Sequence, residues 1–189
     1  MLARLLIMII DTAASLLCFA LLTRVLMQLT HASFRNSLGQ FTIAITDWAV
    51  RPARRIIPAA WGFDLPTLVV AWLVQCAAIV LSLLLGGGPL ASGEAWVMLA
   101  LIALLEVAKV TCYVLEAAVI ISAILSWVNP YAPLAPVIFA ITQPLLRPFQ
   151  KLIPPIGGVD LSPIALLLAL QLMLAVLQML GSRLPMLLV

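Results

Sequence analysis

The sequence predicts an all-α membrane protein in which four transmembrane helices form two parallel units of helix, basic connection and helix. Of its 189 residues, 65% are hydrophobic and only 9% are charged, whereas a soluble domain is about half apolar and about a quarter charged. Four apolar runs are long enough to cross a bilayer, which takes about 20 residues as a helix. A segment of the first half also recurs in the second half.

The four predicted spans cover about residues 5–29, 65–85, 97–126 and 163–180. The first span follows Arg4 and resembles a signal peptide, but its apolar run is too long, so we predict a retained helix. A glycine-rich turn at 86–96 separates the first unit, 1–85, from the second unit, 97–189.

The basic residues are concentrated in the two long connections, about 30–64 and 127–162. These connections carry Arg35, Arg51, Arg54, Arg55, Arg147 and Lys151, whereas the glycine turn carries no basic residue. The positive-inside rule places such connections in the cytoplasm. We therefore predict a multi-pass protein of the bacterial inner membrane with both termini and the glycine turn facing outward, although Arg4 and Arg183 oppose this orientation.

The internal repeat has a constant offset of 96 residues without a gap. Residues 44–66 and 140–162 share 10 identities in 23 positions. Because each copy includes two spans, both copies have the same orientation and the repeat is parallel. The repeated positions are Arg51, Pro52, Pro58, Gly62 and Asp64 in the first copy, and Arg147, Pro148, Pro154, Gly158 and Asp160 in the second.

Each repeated connection predicts a short interfacial helix. A basic pair four residues apart, Arg51 with Arg55 or Arg147 with Lys151, shares one face of a helix. Pro52 and Pro148 suit its first turn, and Pro58 and Pro154 suit its end. With Arg54, these basic residues either bind anionic lipid or a partner protein, or simply anchor the topology.

The carboxylates that follow, Asp64 and Asp160, suit the starts of the second and fourth spans. Capping by Asp64, or by Asp160 or Ser162, is the simpler interpretation. The alternative is a pair of cation-coordinating carboxylates at the membrane surface. Gly62 and Gly158 permit the tight turns that lead into these spans.

Five charged residues lie inside the predicted spans: Asp11, Arg24, Glu106, Lys109 and Glu116. Such residues are costly in lipid and usually face a partner or a wet cavity. The repeat offset gives relative depth and predicts Asp11–Lys109 and Arg24–Glu116 pairs between the first and third spans, with Glu106 competing for Lys109. Three roles are open for these charged residues: contacts between helices, an ion or proton path, or a docking face for another membrane protein.

Several classes of function have little support in the composition. The net charge is +3, without the basic, aromatic-rich face of a nucleic-acid binder. His31 is the only histidine and the three cysteines are scattered, so we expect neither a metal nor a cofactor. The serines and His31 have no catalytic motif around them, and we expect a protein that is not an enzyme.

The motif at 141–163, Ile-Thr-Gln-Pro-Leu-Leu-Arg-Pro-Phe-Gln-Lys-Leu-Ile-Pro-Pro-Ile-Gly-Gly-Val-Asp-Leu-Ser-Pro, resembles the signature of the YggT family. The likeness covers nearly the whole chain as two family units, and the first departs from it at Trp48, Trp61 and Pro66. The resemblance implies roles in osmotic-stress tolerance, potassium uptake, cell division, organisation of the nucleoid or of membrane complexes, or cofactor attachment to cytochrome b. It implies no catalytic residue.

Two functions are therefore expected from the sequence. The first is a non-enzymatic scaffold or assembly factor that contacts membrane lipids and other membrane proteins, or itself as a homo-oligomer. The second is an oligomeric component of cation (potassium) uptake or osmotic-stress transport, because four spans leave little room for a pore in one monomer.

Overall fold

The computed structural model describes residues 1–57, 64–87, 93–153 and 160–183. These residues form six α-helices and no strand. The helices are α1 (Leu2–Leu29), α2 (Ser37–Ile56), α3 (Leu65–Gly86), α4 (Gly93–Val128), α5 (Ala135–Leu152) and α6 (Ser162–Arg183). Four of them, α1, α3, α4 and α6, are long and apolar enough to cross a membrane. The predicted membrane-spanning fold is confirmed.

The order of helices in the first unit recurs in the second. The helix α5 ends at Leu152, 96 residues after α2 ends at Ile56. The buried residues Thr46 and Val50 of α2 correspond at the same offset to Thr142 and Leu146, which are buried in α5. The sequence repeat is therefore also a repeat of helices and of the faces that they bury.

The connecting helices are longer than the sequence predicted. The helix α2 has 20 residues and α5 has 18, so Pro52 and Pro148 lie inside them and the prediction that they occupy a first turn is wrong. Their buried residues follow a helical spacing on one face only, which leaves no apolar run of spanning length. The predicted helix ends Pro58 and Pro154, and the turn residues Gly62 and Gly158, lie outside the described residues.

The glycine turn is described only at its margins. The helix α3 ends at Gly86, and the next residue, Gly87, caps it with a left-handed φ of 73°, a conformation that glycine adopts without a steric penalty. The helix α4 has already begun at Gly93, earlier than the predicted start at 97. The residues between 87 and 93 lie outside the described part of the chain.

The core of the bundle consists of two clusters of buried residues, and each cluster joins helices of both units. The helix α1 packs mainly against α3, and α4 contacts α1, α3, α5 and α6. The α1 residues Leu21 and Leu22 lie in a cluster with Val107 and Val110 of α4, which confirms the predicted contact between the first and third spans. A second cluster joins Met27 of α1 to the helices of the second unit.

Candidate functional site

Buried charge concentrates where α2 crosses the last turns of α1. Arg24 is only 5% exposed, and its Nη1 donates to Thr46 Oγ1 and to Asp47 Oδ1, both at 2.8 Å. The predicted Arg24–Glu116 pair is therefore wrong. Arg24 turns toward α2, where Thr46 and Asp47 supply two acceptors within hydrogen-bond distance.

Asp47 holds two arginines together. Its second oxygen, Oδ2, lies 2.7 Å from Nη2 of Arg51, whose side chain is 77% exposed. The hydrogen bond from Arg24 is the largest of the causes that lower the pKa of Asp47; burial opposes it, and the charges of Arg24 and Arg51 add to it. Asp47 is thus ionised at neutral pH and compensates a buried cation.

A second carboxylate joins α2 to the start of α3. Asp64 is buried, and its Oδ2 accepts from Arg54 Nη2 at 2.7 Å and from Thr67 Oγ1 at 2.5 Å. With its amide oriented to satisfy both partners, Gln28 of α1 donates to Asp64 at 2.6 Å and accepts from Arg54 at 2.8 Å. The Asp64 side chain makes no capping hydrogen bond to the α3 backbone, so its predicted capping role is wrong. Arg54 and Thr67 both bind Oδ2, and Oδ1 is buried without a hydrogen-bond partner among the described residues.

The second unit has the same link between helices, but a neutral glutamine takes the place of the arginine. Asp160 Oδ2 accepts from Gln150 Nε2 at 2.9 Å, and Oδ1 accepts from the backbone N–H of Ser162 at 2.9 Å. Gln150 corresponds to Arg54 at the offset of 96 residues. Burial raises the pKa of Asp160, but the hydrogen bonds from Ser162 and Gln150 outweigh burial and hold that pKa below its usual value. The sequence predicts capping of the fourth span by Asp160 or Ser162. The structure shows the bond from the backbone N–H of Ser162 to Asp160, whereas Ser162 Oγ is buried without a partner among the described residues.

The remaining basic residues of α2 and α5 face outward. Arg55, Arg147 and Lys151 are exposed, and the described residues offer none of them an ion-pair partner. Exposed apolar side chains lie on the same two helices, with Trp48 68% exposed and Leu152 78% exposed. The structure therefore separates the five predicted basic residues into two that are paired and three that are free.

The intramembrane charges form a different pattern from the predicted one. Lys109 Nζ lies 2.5 Å from Glu106 Oε1 on the same helix, so the competing pair is the one that forms and the Asp11–Lys109 pair is wrong. Asp11 Oδ1 instead accepts from Ser82 Oγ of α3 at 2.9 Å. Glu116 Oε1 is buried without a hydrogen-bond partner among the described residues.

Asp11 and Glu106 line a cleft between the spans. One cavity of about 400 Å³ lies among α1, α3 and α4, and an adjoining cavity of about 390 Å³ lies between α1 and α4. Both are lined by Asp11, Ser15 and Glu106. We call these two cavities, which share these three lining residues, the polar cleft. Across the described ranges, no three His, Cys, Asp or Glu side chains group as a metal site would require.

Sequence analysis missed several polar residues of these sites, among them Asp47, Gln28, Ser82 and Gln75, which lines the cavity among α1, α3 and α4. The ion pair of Asp47 could have been predicted from the sequence, because Asp47 stands four residues before Arg51 and such pairs meet on a helix. Gln28 and Gln75 could also have been singled out, because they are uncharged polar side chains inside apolar runs. Only the packing of the helices shows which partners they reach.

Comparison with known proteins agrees with this architecture. The CCB3/YggT family model matches residues 3–85 and again residues 101–181. The chain is 42% identical to "Uncharacterized protein PA0392" of Pseudomonas aeruginosa, over 88% of this chain and 84% of that protein. It is 34% identical to "Uncharacterized protein YggT" of Escherichia coli K12, over 86% and 83% of the two chains.

No solved structure matches the chain. The two family-model matches coincide with the two helical units, and they lie on either side of the glycine turn. None of the proteins named above indicates an enzymatic family. From the double match, the relatives and the repeated motif, the chain belongs to the CCB3/YggT family of membrane proteins.

Proposed function

We propose that the chain is a non-enzymatic scaffold or assembly factor of the bacterial inner membrane, which presents α2 and α5 at the cytoplasmic surface. The observation that carries this proposal is the outward face of these two helices. It combines free basic groups, Arg55, Arg147 and Lys151, with exposed apolar side chains such as Trp48. Such a face can bind anionic headgroups and membrane proteins at the same depth.

The prolines of α2 and α5 support an interfacial position. Pro52, Pro144 and Pro148 are all exposed. Each proline lacks an N–H and leaves the carbonyl one helical turn earlier without its usual partner. An unpaired carbonyl costs several kcal/mol in hydrocarbon, whereas water or headgroups satisfy it. The outward faces of α2 and α5 are therefore suited to the hydrated interface.

Lipid binding provides a direct test of the interfacial face. The double variant Arg147→Gln/Lys151→Gln should lose preference for phosphatidylglycerol over phosphatidylethanolamine, measured by native mass spectrometry. At about 1 kcal/mol for each basic residue near an anionic surface, the loss approaches about 30-fold. The control Arg4→Gln/Arg183→Gln removes the same charge from the far ends of α1 and α6 and should retain the preference. Equal behaviour of the two double variants would contradict the proposal.

The scaffold role requires a protein partner and is tested in cells. A photo-crosslinking amino acid at Gln143, which is exposed on α5, should give discrete adducts with membrane proteins. The same amino acid at Leu172, 70% exposed on the span α6, serves as the lipid-facing control. If both positions give only lipid adducts, the scaffold role is wrong.

The orientation is tested separately by reporter fusion. With both termini outward, a fluorescent protein that matures only in the cytoplasm should stay dark when fused after Val189. An enzyme active only outside the cytoplasm should be active at the same position. Cytoplasmic fluorescence would reverse the proposed topology.

The competing function is an oligomeric component of cation uptake. One observation favours it: Asp11 and Glu106 lie inside spans and line the polar cleft. Flux of potassium into liposomes containing the purified protein tests this function. Flux that disappears in Asp11→Asn would favour transport, and its absence would favour the scaffold.

A further inference from the structure

An apolar groove lies where the two units meet. It has a volume of about 460 Å³ and is bounded by α1, α4 and the starts of α2 and α5. Ser37 and Leu38 line it from the first unit, and Pro133 and Leu134, their counterparts at the offset of 96 residues, line it from the second. Ile121 of α4 also lines the groove and is 43% exposed, so the groove is open along one side.

The lining of this apolar groove offers almost no polar group to a ligand. Besides the exposed Ser37, it contains the hydroxyl of Thr23, which already donates to the backbone carbonyl of Phe19 at 2.8 Å. No charged residue of the described ranges lines the groove. Because apolar cavities of this kind stay dry, the occupant has to be apolar.

The groove has the length of one bilayer leaflet. Along α4 its lining runs from Val114 to Leu125, which covers about 16 Å, since a helix rises about 1.5 Å per residue. The hydrocarbon core is about 30 Å thick, so each leaflet contributes about 15 Å. A helix that is about 10 Å across would fill roughly 1,200 Å³ over the same length, well above the volume of the groove. An extended acyl chain therefore fits the groove, whereas a helix of a partner protein does not.

The end of the groove near α2 has the features of the headgroup region. Trp127 and Tyr131, which are 67% and 94% exposed, stand where α4 leads into α5, and such aromatic residues are typical of the membrane–water interface. Arg35 stands two residues before Ser37, so their Cα atoms lie within about 7 Å of each other. Arg35 is exposed and takes part in none of the ion pairs among the described residues. A free guanidinium beside an apolar groove is complementary to a phosphate that carries acyl chains.

We propose that the apolar groove binds one acyl chain of an anionic phospholipid whose phosphate pairs with Arg35. The lipid comes from the leaflet on the side of α2 and α5, and its chain fills the space between the two units. The site is separate from the outward faces of α2 and α5, because neither Arg147 nor Lys151 lines the groove. It does not depend on the scaffold role, since a transport component would hold the same lipid.

Native mass spectrometry of the detergent-purified protein tests the chain-binding groove. The protein is equilibrated with dioleoylphosphatidylglycerol, and the wild type should keep one lipid adduct under collisional activation that removes all others. Ile121→Trp should lose this adduct, because the larger side chain occupies the groove, and Ala117→Phe should do the same from a second lining position. Ile120→Trp is the matched control: Ile120 is 47% exposed on the same helix but does not line the groove, so the adduct should remain.

The headgroup and the chain are tested separately. Arg35→Gln should weaken binding of the retained lipid about fivefold, as expected for one basic residue near an anionic surface, whereas Arg4→Gln at the far end of α1 should not. Dihexanoylphosphatidylglycerol has the same headgroup on short chains and should be released.

Arg147→Gln/Lys151→Gln should keep the retained adduct, so this proposal and that of the interfacial face fail independently. Retention of the adduct by Ile121→Trp, equal retention of the two lipids, or a protein dimer in place of the lipid adduct would each overturn the proposal.

Discussion

Removing Asp47 should destabilise the protein through Arg24. Arg24 is 5% exposed, and Asp47→Ala removes its only ion-pair partner among the described residues. Breaking a buried pair from one side costs about 3–5 kcal/mol. Thr46 still accepts one hydrogen bond from Arg24, and the Asp47 side chain is 18% exposed. We therefore expect the free energy of unfolding to fall by about 3 kcal/mol, the lower end of that range.

We would measure this loss of stability as the change in the free energy of unfolding in mixed micelles. Titration with sodium dodecyl sulfate, followed by circular dichroism, gives that free energy. Arg51→Gln is the matched control, because it removes the other arginine of the same carboxylate, whose side chain is 77% exposed. Exposed pairs contribute about 0–1 kcal/mol, so the control should change little.

A double variant shows whether the cost of Asp47→Ala comes from leaving Arg24 buried without its partner. Arg24→Met/Asp47→Leu replaces both partners with apolar side chains, and such replacements of buried pairs are often neutral. It should be more stable than Asp47→Ala. If Asp47→Ala costs no more than Arg51→Gln, or if the double variant is the less stable of the two, Arg24 does not depend on Asp47.

Three further predictions follow from the geometry. A Cβ at Gly39 would lie 2.7 Å from the Cα of Phe34, so Gly39→Ala must move backbone and should cost about 1–3 kcal/mol of unfolding free energy; a variant as stable as the wild type would contradict this contact. Asp64→Ala should cost about 2 kcal/mol because it leaves the buried hydroxyl of Thr67 unpaired, whereas Asp160→Ala should cost about 1 kcal/mol, the usual value of a helix cap; equal losses in the same titration would show that the two links are equivalent. The pKa of Asp47 is lowered in the folded state, so its contribution should be fully present above its unfolded pKa of about 3.9 and be lost as the pH falls through the lower folded value; a difference between wild type and Asp47→Ala that already shrinks between pH 7 and pH 5 would contradict this sign.

The spans and the repeat could be predicted from sequence because both are properties of linear patterns. Apolar runs of spanning length mark α1, α3, α4 and α6, and the glycine at 87 marks a helix end. The full lengths of α2 and α5 could not be read in this way. The buried face of α2 carries small and polar residues such as Gly39, Thr42 and Thr46, which resemble a polar connection until another helix covers them. The buried face of α5 is more apolar, with Val137, Ile138 and Ile141, but it forms no apolar run of spanning length.

The partners of the intramembrane charges were predicted less well. The repeat offset gives the depth of a residue in the membrane but not the direction in which its side chain points. Arg24 therefore reaches Asp47 and Thr46 of α2 rather than Glu116 of α4. Lys109 binds Glu106, three residues away on its own helix, because a neighbour on the same helix face is within reach before any second helix packs.

The exposed prolines of α5 have a consequence for membranes of different thickness. Pro144 and Pro148 stand four residues apart on the outward face, so two successive turns each expose an unpaired carbonyl oxygen. At the interfacial position proposed for α5, both oxygens are hydrated, and moving the helix into the acyl chains would dehydrate them. In that position, the tilt of the spans has to accommodate a thicker or thinner bilayer, at fractions of a kcal/mol per Å, while the depth of α5 relative to the headgroups stays the same.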